Sequence, residues 1–197
     1  MKPRMKSTSV QAGVSMMEVL VTMVILLVGL LGLAGMMMQS QRAEAESYQR
    51  TQALILLQDM VARINTNRKV ASCYAVTDGA SGEPYLGTGT AVTAPTCAEG
   101  TAAQQALAIQ DMTEWSNLLQ GAAEKSGTNA KVGAMIGARG CISYDATANR
   151  YFVSVAWQGM ESTSAPAAGW TCATGQYGDE KLRRVVSVPL SIADLGS

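Results

Sequence analysis

The stretch Gly13–Met38, GVSMMEVLVTMVILLVGLLGLAGMMM, decides how the rest of the chain is read. Its last 20 residues, Val19–Met38, hold no charged side chain. At about 1.5 Å per residue, a helix of that length matches the ~30 Å hydrocarbon core of a bilayer. A helix is the form to expect, because lipid offers no partner to a free backbone N–H or C=O. Upstream, Met1–Gly13 carries Lys2, Arg4 and Lys6 and no acid. That bias predicts a cytoplasmic N-terminus and an outward-facing remainder. One carboxylate, Glu18, stands at the near end of the run. At that edge a carboxylate costs free energy unless it is interfacial or paired, so Glu18 is a candidate functional residue. The bland alternative, a carboxylate resting in the headgroup region, stays open.

Three rival readings fit less of the pattern. A secretory signal could be cut near Ala43-Glu44-Ala45, but its apolar region is ordinarily about 7–15 residues long. A buried core helix rarely carries such a run beside a basic flank. A plain signal anchor explains the span and leaves Gly13 and Glu18 without a reason.

The chain has 197 residues, with Lys plus Arg equal to Asp plus Glu at 15 each. Three bases lie before residue 14, so removal of that segment leaves 12 bases against 15 acids. No basic stripe remains, and no nucleic-acid partner is expected. There is no histidine, which removes the commonest general base and every His-dependent triad. No phosphate loop, G-x-S-x-G elbow or metal-ligand spacing is present, so neither catalytic residue nor metal nor cofactor is expected. Cys73, Cys97, Cys141 and Cys172 all follow the apolar run. None forms a C-x-x-C pair, and an even count on the outer side of a membrane favours two disulfides. Three connectivities are possible; Cys73–Cys97 with Cys141–Cys172 closes the most local loops.

Downstream, the apolar helix is expected to continue without Pro or Gly, ending near Arg68. Arg42, Glu46 and Arg50 are four apart, as are Asp59 and Arg63, spacings that suit ion pairs. Leu54, Leu57, Val61 and Ile64 form an apolar stripe for packing on a globular domain. Gly29, Gly32 and Gly35 read as small-residue packing positions, or as places where the span bends. Asn67–Gly100 reads as a loop-rich excursion closed by Cys73 and Cys97. Thr101–Gln120 reads as a second helix with Thr101 as N-cap and Gly121 as stop. Its stripe is Ala108, Met112, Trp115 and Leu119, with Trp115 as a core anchor.

From Gly140 the period changes to two. Cys141–Tyr144 and Arg150–Gln158 read as a hairpin about the polar turn Asp145–Asn149. Gly159–Asp179 is a long loop, and Lys181–Ile192 a last strand that Pro189 places at a sheet edge. The charged cluster Asp179, Glu180, Lys181, Arg183 and Arg184 reads as a solvated face. The expected class is α+β: a long N-terminal helix across a small antiparallel sheet, with an extra helix and disulfide-closed loops.

The N-terminal pattern resembles the type IV prepilin family of pilins and secretion pseudopilins. The likeness rests on the basic leader ending in Gly13, on Glu18 as the fifth residue after it, and on the following EVLVTMVILLVGLLGLAG. It implies a pilin-like fold and cleavage of the Gly13–Val14 bond by a prepilin peptidase. It also implies N-methylation of Val14, and Glu18 as the carboxylate that pairs with a neighbouring subunit's new amine. The family usually begins its mature chain with Phe, and Val14 departs from that. The segment YQRTQALILLQDMVARINTNR, with Gly137–Ile142, Asn149-Arg150-Tyr151, Val155–Gly159, Tyr177-Gly178-Asp179 and Arg183–Val186, is similar to the PilV group of minor pilins. That likeness leaves Cys73–Gly100 uncovered.

What it implies is a low-abundance pilus subunit divided into a leader (1–13), a membrane and assembly half-helix (14–38), an amphipathic half-helix (39–68) and a periplasmic domain (69–197). Its partners would be other minor pilins, the major pilin, the prepilin peptidase and inner-membrane lipid. It would be a single-pass inner-membrane protein before entering the pilus, supporting adhesion and twitching motility. A minor pseudopilin of a type II secretion system shares the same N-terminus. A signal-anchored periplasmic enzyme or binding domain is the non-structural alternative.

Overall fold

The computed structural model describes residues 13, 15–90, 97–122, 127, 133 and 135–193. The basic segment before Gly13, with Lys2, Arg4 and Lys6, and the expected new N-terminus Val14 lie outside them. Two units are distinguished, Met1–Ala43 and Glu44–Ser197. The helix α1, Met16–Thr66, begins in the first and ends in the second.

In the first unit, Ser15 starts the helix. Its carbonyl accepts the Glu18 and Val19 amides, and its hydroxyl accepts the Met17 amide. These bonds satisfy amides that have no partner of their own in the first turn. Every side chain from Met16 to Met38 is exposed.

The second unit is α+β. After α1 come a 3-10 turn (Arg68–Tyr74), β1 (Leu86–Gly87), α2 (Ala102–Leu119), β2 (Ile136–Asp145), β3 (Arg150–Gln158), a 3-10 turn (Glu180–Leu182) and β4 (Arg183–Leu190). The strands form one antiparallel sheet in the order β1-β2-β3-β4. Pro189 sits on the edge strand β4, where a missing N–H does least harm. Cys73 is joined to Cys97 and Cys141 to Cys172, the more local pairing.

Strand alternation separates two cores. Ile142, Val153, Val155 and Val186 face the helices, in one cluster with Leu57, Met60, Ile64, Met112 and Trp115. Cys141, Ala156, Cys172, Ala173 and Tyr177 form a smaller cluster on the other face. The stripe expected on α2 is buried at all four positions. Thr101 and Gln104 cap that helix reciprocally: the Thr101 hydroxyl accepts the Gln104 amide, and the Gln104 side chain accepts the Thr101 amide. Gly121 follows in left-handed backbone, at φ +85°, where a side chain would be strained.

The stripe on α1 differs from expectation. Its buried residues are Gln49, Ala53, Leu57, Met60 and Ile64, while Leu54 is 39% exposed and Val61 only half-buried. The two stripes share Leu57 and Ile64, while Leu54 and Val61 each give way to the preceding residue, about 100° round the helix. Ala53 and Met60 belong to the same core cluster as Trp115, whose indole N–H donates to the Leu56 carbonyl at 2.8 Å. Asn67–Gly100 is also less irregular than its composition suggests. Val70, Tyr74 and Leu86 are buried, and β1 pairs with β2. β2 begins at Ile136, before Gly140, and β4 begins only at Arg183, after a helical turn.

Gly140 is where α2 meets the sheet. A methyl group there would lie 2.2 Å from Cη2 of Trp115 and 2.7 Å from Cδ1 of Leu119. Gly140→Ala should therefore lower stability by about 1–3 kcal/mol through overpacking. Thermal and urea denaturation of the two proteins would measure it; an unchanged midpoint would mean that α2 does not lie on this glycine.

Candidate functional site

The apolar run brings physical demand and no catalytic chemistry. Between Val19 and Met38 no side chain is covered by the protein's own core. Each Leu, Ile or Val left in water forgoes about 1.5–3 kcal/mol of burial. The helix is long and apolar enough to cross a membrane. The one hydroxyl in the run Val19–Met38, on Thr22, donates to the Val19 carbonyl at 2.9 Å, so no unsatisfied polar side chain enters the span. Glu18 lies in the first turn, exposed, and among the described residues its carboxylate has no hydrogen-bond or ion-pair partner. Gly13 is exposed one residue before Val14, which is outside the described residues. Gly29, Gly32 and Gly35 lie within unbroken helix and leave a bare strip.

In the second unit, a polar network joins α1 to α2. The Arg63 guanidinium donates to Asp59 at 2.9 Å, to Asp111 at 3.0 Å and to Glu114 at 2.7 Å. The Tyr74 hydroxyl donates to the other oxygen of Asp111 at 2.6 Å, and Asn67 donates to the Tyr74 oxygen and the Gln104 carbonyl. Burial pulls the Arg63 guanidinium towards neutrality, but hydrogen bonds to Glu114, Asp59 and Asp111 outweigh it and raise its pKa. The Arg63 contact, helped by Gln110, holds the Glu114 carboxyl below its usual range. Burial and the bond to Asp111 push the Tyr74 phenol up. Only the Asp59–Arg63 pair is visible in the sequence. Asp111 gave one signal that was missed: it lies three residues after Ala108 and four before Trp115, on the buried face.

In the cluster Asp179–Arg184, Asp179 and Lys181 are exposed as expected, but the two arginines are not on a solvated face. Arg183 is 4% exposed, pairs with Glu180 at 2.6 Å and donates to the Trp170 and Cys172 carbonyls. Arg184 pairs with Glu46 at 2.7 Å and donates to the Lys181 and Glu161 carbonyls. The Asp179 side chain accepts the Lys181 amide. Two arginines therefore hold the 159–182 loop in place, because a chain with few apolar residues needs polar clamps where it folds back. Arg139 is held differently. Its guanidinium stacks between the Tyr85 and Tyr177 rings, 5.1 and 4.9 Å from their centres. Burial pushes the Tyr177 phenol up to about 12.

Among the described residues, no group of three or more His, Cys, Asp or Glu side chains is placed to hold a metal ion. No protein-family model matches the chain, and no significantly similar curated protein or solved structure was found. The functional reading therefore rests on the residues themselves.

Asp111→Ala should cost about 1–3 kcal/mol, since it strands the buried Tyr74 hydroxyl and removes a carboxylate from Arg63. Urea midpoints would register the loss. High pH should destabilise the fold for a related reason. Tyr74 and Tyr177 both have raised folded-state values, so their contribution is whole below the ordinary tyrosine value near 10. Above it the unfolded chain releases its phenolic protons first, and stability falls as pH climbs towards the folded values. Denaturation midpoints between about pH 9 and 11 should decline, and less steeply in Tyr74→Phe; equal slopes would remove Tyr74 from this account.

Proposed function

We propose that this chain is a minor pilin of a type IV pilus, a structural subunit with a pilin-like fold and no catalytic role. The observation that carries the reading is a charge-free, uncovered run, Val19–Met38, with Gly13 and Glu18 at its head, in a helix that ends in a domain core. A helix of this kind can rest in lipid and later exchange lipid neighbours for the helices of other subunits. Burial is kept in that exchange, so assembly is decided by packing and by polar contacts.

Glu18 is the polar contact. A carboxylate and a neighbouring subunit's N-terminal ammonium, brought together in a low-dielectric bundle, attract strongly and relieve each other's burial. Cleavage of the Gly13–Val14 bond by a prepilin peptidase would create that ammonium on Val14, and methylation would follow. Outside the membrane, the two disulfides and the arginine clamps suit a domain that must survive in the periplasm and on the cell surface. Such a subunit joins other minor pilins in a complex that primes the filament, can sit at its tip, and supports adhesion and twitching motility.

A minor pseudopilin would share the anchor and the processing. A deletion strain separates the two: pili are lost and protein secretion is intact on the present reading.

Mass spectrometry of the N-terminus is the direct test. Cells with prepilin peptidase should yield N-methylated Val14, and cells without it an uncut leader. A mature end near Ala45 in both would refute the reading. Glu18→Ala should insert normally into the membrane and co-purify less with the other minor subunits. Undiminished co-purification would remove the pairing role.

A further inference from the structure

A groove of about 590 Å³ lies on the sheet face turned away from the helices. That size is within the range of about 300–1,000 Å³ usual for small-ligand sites. Strand register builds its floor in two rows. One is Cys141–Ser154–Ser187 and the other Ser143–Phe152–Pro189. The Ser154 hydroxyl donates to Ser187 at 2.8 Å. Trp170, 41% exposed, and Tyr144, 44% exposed, stand among the lining residues.

The walls are preformed. The Thr171 hydroxyl donates to the Gly79 carbonyl at 2.8 Å, joining the two loops that rise over the strands. The Cys141–Cys172 bond ties one of them to the floor. Binding here would not have to order a loose segment, which is a large part of what association usually costs.

The lining selects by charge. Its charged residues are Asp78 and Asp145, and none is basic. Two carboxylates repel an anion. They also hold cations weakly, because both are occupied by their own turns. Asp78 accepts the Ala80 and Ser81 amides, and Asp145 accepts those of Thr147 and Ala148. An acyl chain or an apolar peptide side chain would strip water from the serine hydroxyls and return no hydrogen bond. An uncharged polyol meets every condition. Its hydroxyls exchange hydrogen bonds with the serines, and its weakly positive C–H face can lie on the electron-rich face of an aromatic ring.

We propose that this groove is a binding site for a short neutral carbohydrate, with Trp170 as the stacking platform and Ser143 as a hydroxyl contact. The inference stands on the groove alone. A failure of the pilin reading would leave it untouched, and its own failure would leave that reading untouched.

The test uses the full chain in lipid nanodiscs, free of glycoside detergents, on an array of neutral, sialylated and sulfated glycans. Neutral glycans should bind, with Kd between about 10 μM and 1 mM, and charged ones should not. Titration of a bound neutral trisaccharide should shift the Trp170 indole resonance and leave those of the buried Trp115 and Trp157 in place. Trp170→Ala should weaken binding about tenfold or more. Ser143→Ala, which removes only the hydroxyl, should weaken it several-fold with the melting temperature unchanged. The proposal is overturned if no neutral glycan binds or if acidic glycans bind more tightly. It is equally overturned if folded Trp170→Ala and Ser143→Ala proteins bind as the parent does.

Discussion

Apolar surface without a cover of its own is the constraint on which this molecule turns. From Met16 to Met38 the helix presents its side chains outward on every side. Water is the wrong solvent for such a surface, by several kcal/mol for every few residues. The segment therefore needs lipid or other helices. A helix satisfies its own backbone, and Thr22 satisfies its hydroxyl within the helix, so the segment can occupy either environment without chemical change. Glu18 alone breaks this neutrality, at the head of the run.

The second unit meets the opposite problem. It has few large side chains to bury, with aromatic residues only 5% of the chain. Its core is made by fitting one tryptophan very closely. Trp115 lies on the bare backbone of Gly140 and donates its N–H to α1, so α1, α2 and the sheet meet at one ring. Around that ring, polar links replace missing apolar area. The Arg63 network joins the two helices, and Arg183 and Arg184 hold the long loop. Each clamp is partly shielded from water and joined to several partners, a geometry in which ionic contacts contribute more than isolated surface pairs do.

The same economy shapes the far side of the sheet. Strand alternation that puts Val153 and Val155 inward puts Phe152 and Ser154 outward. The loop that would otherwise wander across this face is pinned in its interior by Thr171 and Cys172. What remains beside the pinned loop is a groove lined by hydroxyls and aromatic rings.

The sequence alone determined whatever depends on neighbours along the chain. An uninterrupted apolar run, a stripe at helical spacing, a Thr-x-x-Gln cap and a two-residue period each report a local preference that the structure keeps. Pro189 announced an edge strand for the same reason, since a missing N–H is a property of the residue itself. Tertiary structure decided what depends on partners distant in sequence. Leu57 and Ile64 serve either of two α1 stripes, and only the folded core shows that the one through Ala53 and Met60 is buried. Arg183 looked like a surface charge until Glu180 and the loop carbonyls enclosed it. Asp111 meets Tyr74 across 37 residues and Arg63 across 48, separations no periodicity encodes. A pattern in one segment shows which face is apolar; which groups that face will meet is known only when the chain has folded back on itself.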